Sequence, residues 1–184
     1  YKGTIERATN LPWKGIIPLA DMLKEEFQIP AIITNDANAA AVGEMVYGAA
    51  KGMRDFIVIT LGTGLGSGFV ANGQLLNGKH GIAGEVGHTS VNPAGRFCNC
   101  GKRGCLETYV SATGIRRTVY KLLADHLEDS ELRGISFDKL NTKMITESAV
   151  RGDVVALAAF EYTGRILGMK LAETAVHTDP DRPG

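Results

Sequence analysis

The chain has 184 residues, a length that suits one domain or one domain with part of another. Hydrophobic residues make up 44% and charged residues 22%, an ordinary globular balance with enough apolar side chain for a buried core. Lys plus Arg equals Asp plus Glu at 20 each, which argues against a strongly basic nucleic-acid module, and no apolar run approaches the ~20 residues of a membrane span.

The opening residues, Tyr1 to Thr4, carry no signal-peptide pattern. Because the first residue is Tyr and not Met, the chain is expected to start partway through a longer protein. Pro12, Gly15 and Pro18 punctuate a loop, and Leu19, Met22, Leu23 and Phe27 then recur at helical spacing. Ala31 to Thr34 reads as a short buried strand, followed by Asn35-Asp36-Ala37-Asn38 and an Ala-rich helix through Tyr47, ended by Gly48. Phe56 to Leu61 is a continuous run that suits a buried strand. It enters a glycine loop, Gly62 to Gly68, and a second strand over Phe69-Val70-Ala71. Asn72-Gly73 then predicts a hairpin turn and Gln74-Leu75-Leu76 the return strand. Gly78 to Gly104 is irregular and dense in Gly, His and Cys. Leu106 to His126 has a helical pattern, and Ser130 to Asp153 reads as short helices and loops. Asp153 is expected to cap a long helix from Val154 to Val176 that buries Leu157, Phe160, Ile166, Leu167 and Leu171. The polar tail from His177 is expected to fray.

Four groups carry chemistry. All three cysteines, Cys98, Cys100 and Cys105, fall within eight residues, which is no disulfide framework and points to a reducing compartment. With His88 they form a three-thiolate, one-imidazole set that suits structural zinc, and four protein ligands leave no open catalytic position. The alternative is three unligated thiols in a loop. Glu85, His88 and Glu107 bracket that loop and suit a polyhydroxyl ligand such as a sugar; the alternative is surface glutamates. Asp36, between a strand and a helix, can serve as a general base, or Asp36 or Asn38 can simply cap the helix. The Gly62-Thr63-Gly64 loop can offer backbone N–H groups to phosphate, or be an ordinary tight turn. It is neither a Rossmann fingerprint, since Ser67 stands where Gly or Ala is needed and a strand follows, nor a Walker A loop.

These four groups, in this order, resemble the ROK family of sugar kinases and sugar-responsive repressors from Leu11 to Val176. Cys98-Asn99-Cys100-Gly101-Lys102-Arg103-Gly104-Cys105-Leu106-Glu107 is similar to the family's C-x-C-G-x-x-G-C-x-E signature. Glu85 to His88 looks like its E-x-G-H element, Asn35 to Asn38 like its N-D-A-N element, and Leu61 to Gly64 like its second phosphate loop. The resemblance implies an α/β, actin- and hexokinase-like ATPase fold of the ribonuclease H type, with a structural zinc loop. It implies Asp36 as catalytic base and Asn35, Glu85, His88 and Glu107 as sugar ligands. Gly62, Thr63 and Gly64 would contact ATP phosphate, and His88, Cys98, Cys100 and Cys105 would bind zinc. Magnesium would come with ATP.

Within the family, Cys100 to Ile115 looks most like the bacterial glucokinases, which implies phosphorylation of a hexose, glucose to glucose 6-phosphate first. Also implied are a cytoplasmic homo-oligomer, dimer or tetramer, and no nucleic-acid or membrane partner through this segment. No Asp here is followed two residues later by Gly, so the family's D-x-G-x-T first phosphate loop is absent from the chain, as is its C-terminal glycine-rich adenosine motif. The chain is therefore expected to hold a fragment. Residues 1–45 would be the end of the small domain with the catalytic Asn-Asp and hinge, and residues 46–184 a truncated large domain. The other reading is the sugar-sensing half of a repressor, whose helix-turn-helix would lie upstream of Tyr1. A third is a zinc-stabilised module that binds sugar without chemistry.

Overall fold

The computed structural model describes residues 3–6, 12–79, 81–125 and 127–181. The expected helix end at His126, the last three tail residues and the Leu11 boundary lie outside them.

Three strands form one antiparallel sheet in the order β1 (Phe56–Leu61), β2 (Leu65–Ala71), β3 (Gln74–Leu75). The register pairs Phe56 with Val70 and Leu61 with Leu65, so Gly62-Thr63-Gly64 is the turn that closes the first hairpin, and Leu65 to Gly68, expected as loop, belong to the second strand because their backbone pairs with Val58 to Leu61. Asn72, at φ 53°, and Gly73 turn the second, as the sequence predicts.

The alternation of β2 sends its residues to two layers. Leu65 and Phe69 join Val86, Leu106, Tyr109, Val110 and Ile166 in one core. On the other side Val70 joins Ala41, Ala50 and Phe56, under helix α2 (Asp36–Tyr47). The approach of α2 to β2 is close because both faces are small: a Cβ at Gly68 would meet Ala41 Cβ at 2.6 Å and Ala37 O at 2.8 Å. A larger residue there would force the helix off the sheet.

A third core lies between α4 (Ala112–Asp125), α5 (Thr142–Val150) and α6 (Val154–Thr178), around Val119, Leu132, Leu140, Ile145 and Val155. Asp153 caps α6 as expected, accepting from Ala156 N–H at 2.9 Å. The buried face of α6 differs from the expected one. Val155, Ala156, Ala159 and Ile166 are buried, whereas Leu157 and Phe160 are 48% and 39% exposed. Alanine at 156 and 159 lets α4 approach closely, and α6 is apolar around much of its circumference, so size alone does not select the inner face.

Two other expectations are corrected. Ala31 to Thr34 forms no strand, because no described segment pairs with it and a lone strand leaves its backbone groups unpaired. The tail does not fray over its described part: α6 runs to Thr178, and Asp181 Oδ2 accepts from the N–H groups of Arg54 and Asp55 at 3.0 and 3.1 Å, at the foot of β1.

Candidate active site

The site is assembled from three places. The first is the start of α2. Asn35 is its N-cap: the side chain accepts from Asn38 N–H at 2.7 Å, satisfying an otherwise unpaired donor of the first turn. The alternative reading, a helix cap at Asp36 or Asn38, is corrected: Asn35 is the cap, because its side chain reaches the Asn38 N–H. Asp36 Oδ1 accepts from Ala37 N–H at 2.9 Å, and the carboxylate is exposed at the helix start. Asn35 Nδ2 donates to Glu85 Oε1 at 3.5 Å, joining the first place to the second.

The second place is Gly84 to His88, which ends in a short 3-10 turn, Val86–His88. Its position is set by a residue whose functional weight the sequence did not disclose. Ser67, in mid β2 and 3% exposed, donates to Gly84 O at 2.5 Å and accepts from Val86 N–H at 3.1 Å. One hydroxyl thus clamps the peptides on both sides of Glu85. The only sequence signal was a serine interrupting a glycine run before the apolar Phe69-Val70-Ala71.

The third place is the cysteine loop with α3 (Glu107–Val110). His88, Cys98, Cys100 and Cys105 place one donor atom each within 4.8 Å of one another. Cys100 Sγ and Cys105 Sγ are 3.6 Å apart, and Cys98 Sγ is 3.7 Å from His88 Nδ1. Tetrahedral zinc with ordinary Zn–S and Zn–N lengths needs edges of about 3.5–3.8 Å, so the set fits a metal ion. Burial pushes the Cys98 thiol up to about 12 and raises Cys105 as well. Burial also acts to raise Cys100, but hydrogen bonds from the Lys102 N–H and the Cys98 and Cys105 thiols, with the Lys102 charge, together outweigh it and draw that thiol down. Neutral buried thiols await a cation to become thiolates.

The loop is held from behind by Arg96. Its guanidinium donates to Thr108 O at 2.7 Å, Gly114 O at 3.0 Å and Thr118 Oγ1 at 2.9 Å, and lies 4.5 Å from the Tyr109 ring centre. Burial lowers its pKa, and the three acceptors offset part of the lost hydration.

Glu107 links loop to hairpin. Its Oε2 accepts from Leu65 N–H at 3.2 Å, its Oε1 from Cys98 S–H at 3.3 Å, and Oε1 is 4.0 Å from His88 Nδ1. A Cβ at Gly64 would overlap Glu107 Oε2, so a larger residue there would push that carboxylate aside. Gly62 closes its own turn, donating to Gly64 O at 3.0 Å, and accepts from Ala112 N–H at 2.9 Å. A cleft of about 400 Å³ holds Thr63, Gly64, His88, Glu107, Thr113 and Arg117; a second, of about 610 Å³, holds Glu85 and His88, so His88, with Cys100, is the shared wall. The structure thus gathers Asn35 with Glu85, and His88 with Glu107, the cysteines and the glycine turn. Asp36 is carried by the same helix start as Asn35 and lines neither cleft.

Comparison with known proteins agrees with this geometry. The ROK family model matches residues 1–182. A glucokinase of Halalkalibacterium halodurans is 44% identical over 184 residues, covering 98% of this chain and 55% of that protein. A xylose repressor of Caldicellulosiruptor bescii is 32% identical over 179 residues, covering 97% and 45%. The crystal structure of a ROK family glucokinase from Streptomyces griseus, in complex with glucose and AMPPNP, superposes with a TM-score of 0.80 at 37% identity, over 97% of this chain and 58% of that one. The chain spans about half the length of these relatives. It belongs to the ROK family and has the actin/hexokinase-like ATPase fold of the family's glucokinases.

Proposed function

From membership of the ROK family and from the meeting of the glycine turn with Glu107 and His88 in one cleft, we propose that the whole protein transfers phosphate from ATP to a hexose, glucose first. That meeting is the observation that carries the reading: phosphate-type backbone donors and polyhydroxyl-type acceptors share a wall.

Asp36 is the general base. It takes the proton from the attacking sugar hydroxyl as that oxygen bonds to the γ-phosphorus and the bond to the ADP oxygen breaks, leaving sugar phosphate and ADP. The first-turn position of Asp36 suits this role, because its carboxylate is exposed there to an incoming hydroxyl. Asn35, Glu85, His88 and Glu107 hold the sugar hydroxyls. Thr63 and Gly64 face the phosphates, with Gly62 holding their turn in shape.

His88, Cys98, Cys100 and Cys105 are the ligands of a structural zinc, which supplies a fixed cross-link and no reaction step. Zinc held by these residues would keep Cys98 as a thiolate, and Glu107 Oε1, which accepts from that thiol here, would then be open to a sugar hydroxyl. With Nδ1 of His88 turned to the thiols, Nε2 is left for the sugar. Magnesium accompanies the nucleotide.

We place residues 1–45 with the small domain and residues 46–184 with the large one. No described helix is long and apolar enough to cross a membrane, and the clustered thiols support a reducing, cytoplasmic setting in which the whole protein is a dimer or tetramer.

The 32% identity to a xylose repressor supports a second reading, a sugar-sensing domain without kinase activity. An ADP-release assay on the full-length protein with ATP, magnesium and a hexose panel separates the two. Turnover with glucose that collapses in Asp36→Asn supports the kinase. Sugar binding without turnover supports the sensor.

A further inference from the structure

The cleft beside the glycine turn contains a cation that the reading above leaves without a task. Arg117 lies one helical turn after Thr113 on α4, and both side chains line the same cleft as Thr63, Gly64 and Glu107. The start of α4 is fastened to the turn by the Ala112 N–H bond to Gly62 O, 2.9 Å. Arg117 therefore sits about 7.5 Å of helical rise above that joint, a distance its long side chain can span. One of its nitrogens, Nη1, donates to Phe97 O at 3.2 Å. A guanidinium has five N–H donors, so most of its donor capacity remains.

The neighbouring arginines are committed elsewhere. Arg96 is spent on Thr108, Gly114 and Thr118. Arg116 donates to Phe137 O and lies 4.3 Å from the Phe137 ring centre. Among the described residues lining the cleft, Glu107 is the carboxylate and Arg117 the guanidinium, with no lysine. A phosphate chain entering beside Thr63 and Gly64 must pass the Glu107 carboxylate, which repels it. A planar guanidinium lining the same cleft offsets that charge and matches phosphate oxygens two at a time.

We propose that Arg117 is a phosphate-binding residue which, with the Thr113 hydroxyl, forms the wall facing the glycine turn and holds the phosphate chain of the nucleotide. The assignment rests on the ATP-dependent reading above, and its test is chosen to fail separately.

The full-length protein, Arg117→Gln and Arg117→Lys are titrated with a fluorescent, non-hydrolysable ATP analogue and with glucose, and bound metal is measured in each. Arg117→Gln is expected to weaken analogue binding roughly 10- to 100-fold, as for loss of a charge-assisted hydrogen bond. Glucose affinity should stay within about twofold and metal content should not change. Arg117→Lys, which keeps the charge and loses the fork, should recover part of the loss. Unchanged analogue affinity in Arg117→Gln overturns the assignment. So does an equal loss of glucose affinity with release of metal, which would reduce Arg117 to a tie on the Phe97 carbonyl. A wild-type protein that binds the analogue but phosphorylates no hexose refutes the kinase reading and leaves this assignment standing. A wild-type protein that binds no analogue overturns both.

Discussion

Residues 84–111 and residues 12–35 both feed the proposed sugar site, yet the first stretch buries Cys105 and Leu106 completely while no residue of the second is buried. In the cysteine loop nearly every turn is held by a hydrogen bond. Val91 N–H reaches Gly104 O, Gly104 N–H reaches Arg96 O, Leu106 N–H reaches Thr89 O, and the Arg96 guanidinium ties the loop to two helices. The N-terminal stretch has α1 (Leu19–Phe27) with both Met22 and Phe27 more than half exposed, and one isolated bridge between Ile5 and Ile17. The carboxylates proposed to hold sugar, Glu85 and Glu107, thus stand within this hydrogen-bonded stretch, whereas Asp36 stands exposed on the first turn of α2, outside it. The difference teaches which failures to expect. Damage to that stretch should alter binding, and damage at Asp36 should alter chemistry.

The largest test of that contrast is Asp36→Asn in the full-length protein. Turnover should fall by roughly 10²–10⁴ while the sugar dissociation constant stays within a few fold, as for loss of a general base. A variant with normal turnover removes Asp36 from the chemistry and breaks the comparison at its centre.

Next is Cys105→Ser. Elemental analysis should drop from one zinc per chain to none, and sugar affinity should weaken by roughly 10- to 100-fold through His88 and Glu107. Normal sugar binding in a metal-free variant would show that the cysteine loop does not hold the carboxylates.

Ser67→Ala sharpens the comparison inside the rigid half. Removing the buried hydroxyl takes one partner from Gly84 O and Val86 N–H, which keep their 2.7 Å bond to each other, at a cost of about 0.5–1.5 kcal/mol. We expect a raised KM for the sugar with KM for ATP little changed. Equal changes in both would mean that Ser67 supports the sheet and not Glu85.

The smallest effect is far from the site. Burial acts to raise Asp153, but the N–H groups of Ala156, Glu131 and Val155 and the Ser130 hydroxyl outweigh it and hold the carboxyl below its usual range. A carboxyl depressed in the folded state stabilises above its unfolded pKa of ~3.9, and that stability is lost as pH falls through the folded value. Asp153→Ala should therefore cost about 0.5–2 kcal/mol at pH 7 and flatten the acid limb of the stability profile. A urea midpoint at pH 7 equal to wild type would deny the cap its weight.

Much of this protein is written in local pattern. The Asn72-Gly73 turn and the Asp153 cap depend on neighbours within a few residues, the His88, Cys98, Cys100, Cys105 set lies in one short stretch of chain, and each was legible there, as was β1 with the later half of β2. The family itself was legible for the same reason, because its signatures are short and contiguous. What the tertiary structure alone decided is which groups meet across long stretches of sequence. Glu107 reaches Leu65, Asn35 reaches Glu85, Ser67 clamps Gly84 and Val86, and Arg117 turns to the cleft while Arg116 turns to Phe137. The inner face of α6 belongs to that group too, since close approach at Ala156 and Ala159, and not side-chain size, chose it. Turns, caps and ligand spacings are fixed by short-range geometry that residue type reveals. Long-range contacts depend on how separate elements pack, and packing selects among faces that composition leaves equivalent.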